Sequence, residues 1–152
     1  MKTRGSVRAD VRVVGNQLSE SKVRTFVLVS GEPDSVGGKN EGPNPLEFFM
    51  SSIAFCENVT FQRNAALMGV DVDFLETTVR GYFDRRGQWE IDGADPSFEE
   101  IIVETKVSTK ATAERIKELV RLTHRRCPMH AMIVKATKVV DKLTINGKEV
   151  FL

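Results

Sequence analysis

The stretch from Asn44 to Met68, NPLEFFMSSIAFCENVTFQRNAALM, limits what this chain can become more than any other. It reads as one long helix. Asn44 suits the N-cap, Pro45 the first helical position, and Glu47 the third, where its carboxylate closes a capping box. Gly69 follows as a C-terminal stop. At 100° per residue, Glu47, Ser51, Asn58 and Gln62 gather into one polar stripe. Leu46, Phe48, Phe49, Met50, Ile53, Ala54, Phe55, Val59 and Phe61 fill most of the remaining circumference. Such a helix is expected in the interior, with the other elements arranged around it. Cys56 lies away from the polar stripe, flanked at helical spacing by Phe49, Ser52, Val59 and Arg63.

The bulk properties exclude several classes of function. A chain of 152 residues suits a single domain, residues 1–152, with its own core. Its 22 basic and 21 acidic residues leave a net charge of +1, which gives no support for nucleic acid or an anionic membrane as partner. No apolar run reaches the roughly 18 residues of a membrane span, and MKTRGSVRAD is too polar for a signal peptide. A cytoplasmic protein is expected. In that compartment a permanent structural disulfide between the two cysteines is not expected, while a transient one stays open.

Before the helix, Val7, Ala9, Val11 and Val13 alternate at strand period. The polar run to Ser21 reads as a loop, and Val23 to Ser30 as a second strand, so that an N-terminal hairpin is predicted. GEPDSVGGKNEGP is a loop by its glycines and prolines. After Gly69, strands are predicted from about Leu75 to Phe83 and from Phe98 to Val107. Ala113, Ile116, Leu119, Val120 and Thr123 then shift to helical spacing, with charged residues between them, which predicts an amphipathic helix. A short helix from Met129, a strand from Lys138 to Ile145, and a hairpin turn at Asn146-Gly147 complete the chain. The fold class is α+β: antiparallel sheets around a long central helix, with a second, amphipathic helix and a short third one.

Two cysteines and one histidine cluster could carry chemistry. Cys56 is either a small buried hydrophobe or a nucleophile in an apolar setting. Cys127 precedes Pro128, which suits the first position of the short helix, so Cys127 is its N-cap, near the positive end of the helix dipole and beside Arg125 and Arg126. His124-x-x-Cys127-x-x-His130 has loosely metal-like spacing, but Pro128 breaks the run, and a fourth ligand could come only from Cys56 or a carboxylate. The favoured reading is two ordinary histidines at a helix end, with no metal and no cofactor expected. No phosphate-binding glycine loop and no Gly-x-Ser-x-Gly motif is present.

Asn44-Pro45-Leu46-Glu47-Phe48, followed by Ser51-Ser52-Ile53-Ala54-Phe55-Cys56, resembles the central-helix motif of the OsmC/Ohr superfamily. Gly81-Tyr82-Phe83-Asp84 and Arg125-Arg126-Cys127-Pro128-Met129 extend the likeness, the latter being similar to the second-cysteine motif of that family. The resemblance implies a thiol-dependent peroxidase acting on organic hydroperoxides. Cys56 would be the peroxidatic thiol, Cys127 the resolving thiol, and a cellular dithiol the reductant. In the organic-hydroperoxide-resistance branch a catalytic glutamate directly follows the proline. Here that place is Leu46, and Glu47 comes one residue later, about 180° from Cys56 around the helix. Glu47 is therefore either a catalytic residue or only the capping partner. The branch's arginine in the first hairpin loop has no counterpart in GNQLSESK, which leaves Arg24 and Arg63 as candidates for the cation near Cys56. These departures look more like the OsmC-like branches, and they keep a second reading open: a non-catalytic protein that binds a small hydrophobic or thiol-containing ligand near Cys56. The long aromatic helix and the resemblance both lead to the expectation of a homodimer.

Overall fold

The computed structural model describes residues 3–152. The chain divides into two compact units, one ending at Phe49 and one spanning Met50–Leu152. In the first, β1 (Asp10–Gly15), β2 (Leu18–Val23) and β3 (Phe26–Gly31) form an antiparallel meander in the order β1-β2-β3. The expected hairpin thus has a third strand. β2, LSESKV, is the polar run read above as a loop. It lacks apolar alternation because no element of its own unit buries either face of it. Two tight turns set its register instead, with Gln17 at φ 51° and Arg24 at φ 56°. β2 then pairs from Leu18↔Gly31 to Val23↔Phe26.

The long helix is α1 (Pro45–Met68). Its start is the expected capping box: the Asn44 N–H donates to Glu47 Oε2 at 2.8 Å, and the Glu47 N–H donates to Asn44 Oδ1 at 2.9 Å. It stops at Gly69, whose φ of 63° suits a residue without a Cβ. The Val70 N–H there returns to the Ala65 carbonyl at 2.9 Å.

The second unit continues with β4 (Phe74–Phe83), β5 (Phe98–Ser108), α2 (Ala113–Arg126), α3 (Pro128–Ala136), β6 (Lys138–Ile145) and β7 (Lys148–Val150). The four strands form one sheet in chain order. β4–β5 and β6–β7 are antiparallel, whereas β5–β6 is parallel, because α2 and α3 carry the chain back across the sheet between them. The core of this unit joins three sources of apolar surface. Phe61 and Ala65 come from α1, Ile116, Leu119 and Val120 from α2, and Val107, Leu143 and Ile145 from the sheet. Among the described residues no helix is long and apolar enough to cross a membrane.

The buried line of α1 differs from its polarity. Ile53, Glu57, Phe61, Asn64 and Ala65 face inward, whereas Phe55, Val59 and Leu67 are exposed. Helical spacing holds for this line, but two of its members are polar. The partners that allow their burial lie about sixty to seventy residues further along the chain.

Asn44→Ala removes one half of the capping box and should destabilise the fold by about 1 kcal/mol. Denaturant titration of the parent and the variant measures this, and an unchanged midpoint would mean that the cap contributes nothing.

Candidate functional site

The site lies where α1 passes the junction of α2 and α3. Pro128 holds the first position of α3 and leaves Cys127 as its N-cap, so Cys127 Sγ accepts the His130 N–H at 3.5 Å. Cys127 is 0 % exposed. Both cysteines are free thiols, and Cys56 is half-buried. Burial pushes the Cys127 thiol up to about 11; the hydrogen bond from the His130 backbone opposes this, while a hydrogen bond with the Cys56 thiol and that group's charge raise it further. The two thiols are therefore near enough to interact. The expected activation of Cys127 by the helix dipole is reversed, because desolvation outweighs a single turn's dipole at a fully buried sulfur.

Cys56 opens onto a groove of about 700 Å³. Phe55, Val59 and Leu67 give it apolar walls, and Arg63 and Arg126 bring positive charge to it. Arg126 Nη1 donates to Asn64 Oδ1 at 2.9 Å, and Asn64 Nδ2 donates to Thr123 Oγ1 at 3.4 Å. Asn64 is neutral, so it orients the guanidinium without cancelling its charge. Of the cations considered from the sequence, Arg63 lines this groove, and Arg126, weighed there only as a neighbour of Cys127, lines it too. The signal that could have found Arg126 was its place immediately before the Cys-Pro cap. Glu47 sits in the first turn of α1 with its carboxylate on the Asn44 N–H, as a cap.

Behind the thiols is a buried ionic cluster that the sequence reading missed. His130 Nδ1 is 2.9 Å from Glu57 Oε1, with side chains only 7 % and 4 % exposed. The His124 ring stacks on His130 with centroids 4.0 Å apart and planes 7° from parallel. His124 Nε2 is 3.6 Å from Asp141 Oδ1, an atom without a hydrogen-bond partner. Burial lowers the His124 pKa to about 4, helped by repulsion from His130. Burial also acts against the charge of His130, but the Glu57 hydrogen bond and the charges of Asp141 and Glu57 outweigh it and raise its pKa.

The two histidines thus come together as the spacing suggested, with the Glu57 carboxylate beside their rings and Cys127 accepting the His130 backbone N–H. Donor atoms of Glu57, His124 and His130 all lie within 4.8 Å of one another. An ion must lie near the plane of each imidazole that binds it. Two stacked, nearly parallel rings cannot both hold one ion in their planes, so the cluster as built is a charge network rather than a coordination sphere.

These features define an α+β protein with a buried thiol near an accessible one on a long helix. The family model described as OsmC-like protein matches residues 38–141, and the chain belongs to that family. No curated protein matches the chain by sequence. Solved structures share its fold at low identity. The OsmC-like protein from Mycoplasma pneumoniae is 18 % identical, with a TM-score of 0.81 and coverage of 93 % of this chain and 97 % of that one. An organic hydroperoxide resistance protein from Elizabethkingia anophelis, with thiocyanate bound, is 17 % identical, with a TM-score of 0.74 and coverage of 96 % and 100 %. A putative organic hydroperoxide resistance protein from Vibrio cholerae, with captopril bound in one of its active sites, is 16 % identical, with a TM-score of 0.68 and coverage of 99 % of each chain.

Exposure and ionisation should separate the two thiols. At pH 7.5 iodoacetamide should modify one cysteine readily, and Cys56→Ser should remove that reaction. Cys127, with roughly a hundredfold less thiolate than an ordinary cysteine, should stay unmodified until the protein unfolds. Mass spectrometry of tryptic peptides reads the outcome; faster labelling at Cys127 would reverse the assignment.

Proposed function

We propose that this protein is a thiol-dependent peroxidase that reduces organic hydroperoxides. The observation that carries the reading is a single one: the accessible thiol of Cys56, in an apolar groove with two arginines, lies near enough to the buried thiol of Cys127 to interact with it. The Cys56 thiolate attacks one peroxide oxygen. A sulfur–oxygen bond forms, the O–O bond breaks, and the departing alkoxide takes up a proton to leave as an alcohol. Arg63 and Arg126 supply positive charge where the thiolate and the alkoxide need it. Cys127 then attacks the sulfenic sulfur of Cys56. The disulfide forms, and hydroxide leaves with the Cys127 proton as water. A cellular dithiol restores both thiols. Apolar walls favour an organic peroxide over hydrogen peroxide. The organic hydroperoxide resistance proteins among its structural relatives support this direction.

Glu47 in this reading caps α1 and takes no part in proton transfer. The second reading, a binding protein without turnover, is favoured by the captopril in the Vibrio cholerae relative, a small thiol-bearing molecule. Turnover separates the two. Stoichiometric cumene hydroperoxide should consume both thiols and give an intramolecular disulfide that dithiothreitol reverses. Cys56→Ser should abolish consumption, and Cys127→Ser should trap a sulfenic acid that dimedone labels. Glu47→Gln should leave the rate nearly unchanged; a loss above about a hundredfold would make Glu47 catalytic. Parent-like consumption by Cys56→Ser would overturn the mechanism.

The protein acts, in this reading, as a homodimer. Each unit by itself leaves much apolar surface uncovered. In the first, Val11 and Val13 of β1 and Phe26, Val27, Leu28 and Val29 of β3 are exposed; in the second, Phe55 and Leu67 are 68 % and 75 % exposed. Surface of this extent on a soluble chain calls for a partner, and a second copy is the simplest one. Sedimentation equilibrium at micromolar concentration should give about twice the 17.0 kDa of one chain. A mass of one chain would remove the dimer.

A further inference from the structure

We propose that Glu57 and His130 form a positioning pair, a buried latch that holds Cys127 against Cys56. The inference rests on the reading of the two cysteines as a reacting pair, and it goes beyond it by assigning work to residues that take no part in the thiol chemistry.

Glu57 directly follows Cys56 on α1, and His130 lies in the first turn of α3, which Cys127 caps. The Glu57–His130 contact therefore ties together the same two elements that a Cys56–Cys127 bond would join. On its other side, Asn64 holds Arg126 and Thr123 and binds α1 to the end of α2. The thiols are bracketed by one link on each side. Removing either link lets the α2–α3 junction shift along α1.

Energetics decide which link matters more. The Asn64 link joins a neutral group to a cation at a groove open to water. The Glu57 link lies between side chains only 4 % and 7 % exposed, where an ionised pair with a hydrogen bond is at its strongest and the loss of one partner strands a charge. The chemistry needs such a latch. A thiol with a pKa near 11 is almost wholly protonated at neutral pH, so Cys127 gains little from thiolate character. Its reactivity must come from being held in place, and a displacement of about 1 Å can cost on the order of a hundredfold in rate.

The groups facing His130 are Glu57 from α1, His124 from α2, Asp141 from β6 and Cys127 at its own helix start. Among the described residues, Glu57 is the hydrogen-bond partner of its ring. Because the His130 pKa is raised in the fold, the ionic part of the latch is complete below the ordinary histidine value and fades as pH rises through the raised one.

Equilibrium with glutathione tests this without any peroxide. One oxidised glutathione converts the two thiols to a disulfide and releases two reduced molecules, so the titration gives the effective concentration of one thiol at the other. Glu57→Ala should lower that concentration roughly tenfold or more, and His130→Ala should do the same. Glu57→Gln, which keeps an acceptor for the imidazole N–H, should restore it to within about threefold at pH 7 and should weaken the pH dependence between pH 6 and 8. Iodoacetamide labelling of Cys56 in Cys127→Ser and in Cys127→Ser/Glu57→Ala should agree within about twofold, showing an intact groove. If Glu57→Ala does not fold, His130→Ala and Glu57→Gln carry the test. Parent-like values in the alanine variants that fold would overturn the latch alone. A parent that forms no disulfide with glutathione would overturn the paired-cysteine reading beneath it.

Discussion

The burial of two polar residues on α1 governs the second unit. Glu57 and Asn64 both lie on the inward line of the helix, seven residues and so about two turns apart. A buried carboxylate without a partner costs several kcal/mol. Glu57 can stay inside only while His130 stands beside it, and Asn64 only while Arg126 and Thr123 do. These requirements fix the α2–α3 junction against α1 with a specificity that aliphatic packing alone lacks, since Leu119 or Ile116 could slide by a fraction of a turn. The cysteines occupy the space between the two requirements.

That placement gives two chemically identical side chains opposite environments. Cys56 shares a groove with solvent and two guanidinium groups. Cys127, a helix cap, is closed off completely. Pro128 is the local cause, because it cannot continue α2 and is suited to begin α3, which turns the preceding side chain inward to accept the His130 N–H. The same turn that would activate an exposed thiol encloses this one, so that proximity to Cys56 rather than ionisation is what its position offers.

The sequence made elements legible wherever local signals and burial agree. The α1 capping box, the Gly69 stop, the amphipathic α2 and the Asn146-Gly147 turn all follow from nearest neighbours in the chain. β2 was not legible, because its pairing is fixed by turns at Gln17 and Arg24 rather than by an apolar face. The inward line of α1 was not legible for a related reason. Polarity alone does not mark Glu57 and Asn64 as buried or Phe55 as exposed, and each buried polar group is matched by a residue far away in sequence. Both cysteines could be singled out from their motifs; the ionic cluster could not, since its members come from four elements and share no spacing.

The cluster also shows why four titratable groups can be buried together. The pKa of His124 falls from 6.5 to about 4, so its neutral form is favoured and the stability it contributes above pH 6.5 is lost as pH drops toward 4. Asp141 rises from 3.8 to about 6, chiefly through burial, with Glu57 raising it further and the charge of His130 opposing. Its contribution is complete below 3.8 and is lost as pH rises toward 6. Over the same interval, then, one group weakens the fold on acidification and the other strengthens it. The two slopes oppose each other, so the effects of His124 and Asp141 on stability largely offset. What varies is where the proton sits. As pH falls through the raised His130 value the proton settles there, held by Glu57 and attracted by Asp141, one helical turn from the Cys127 cap.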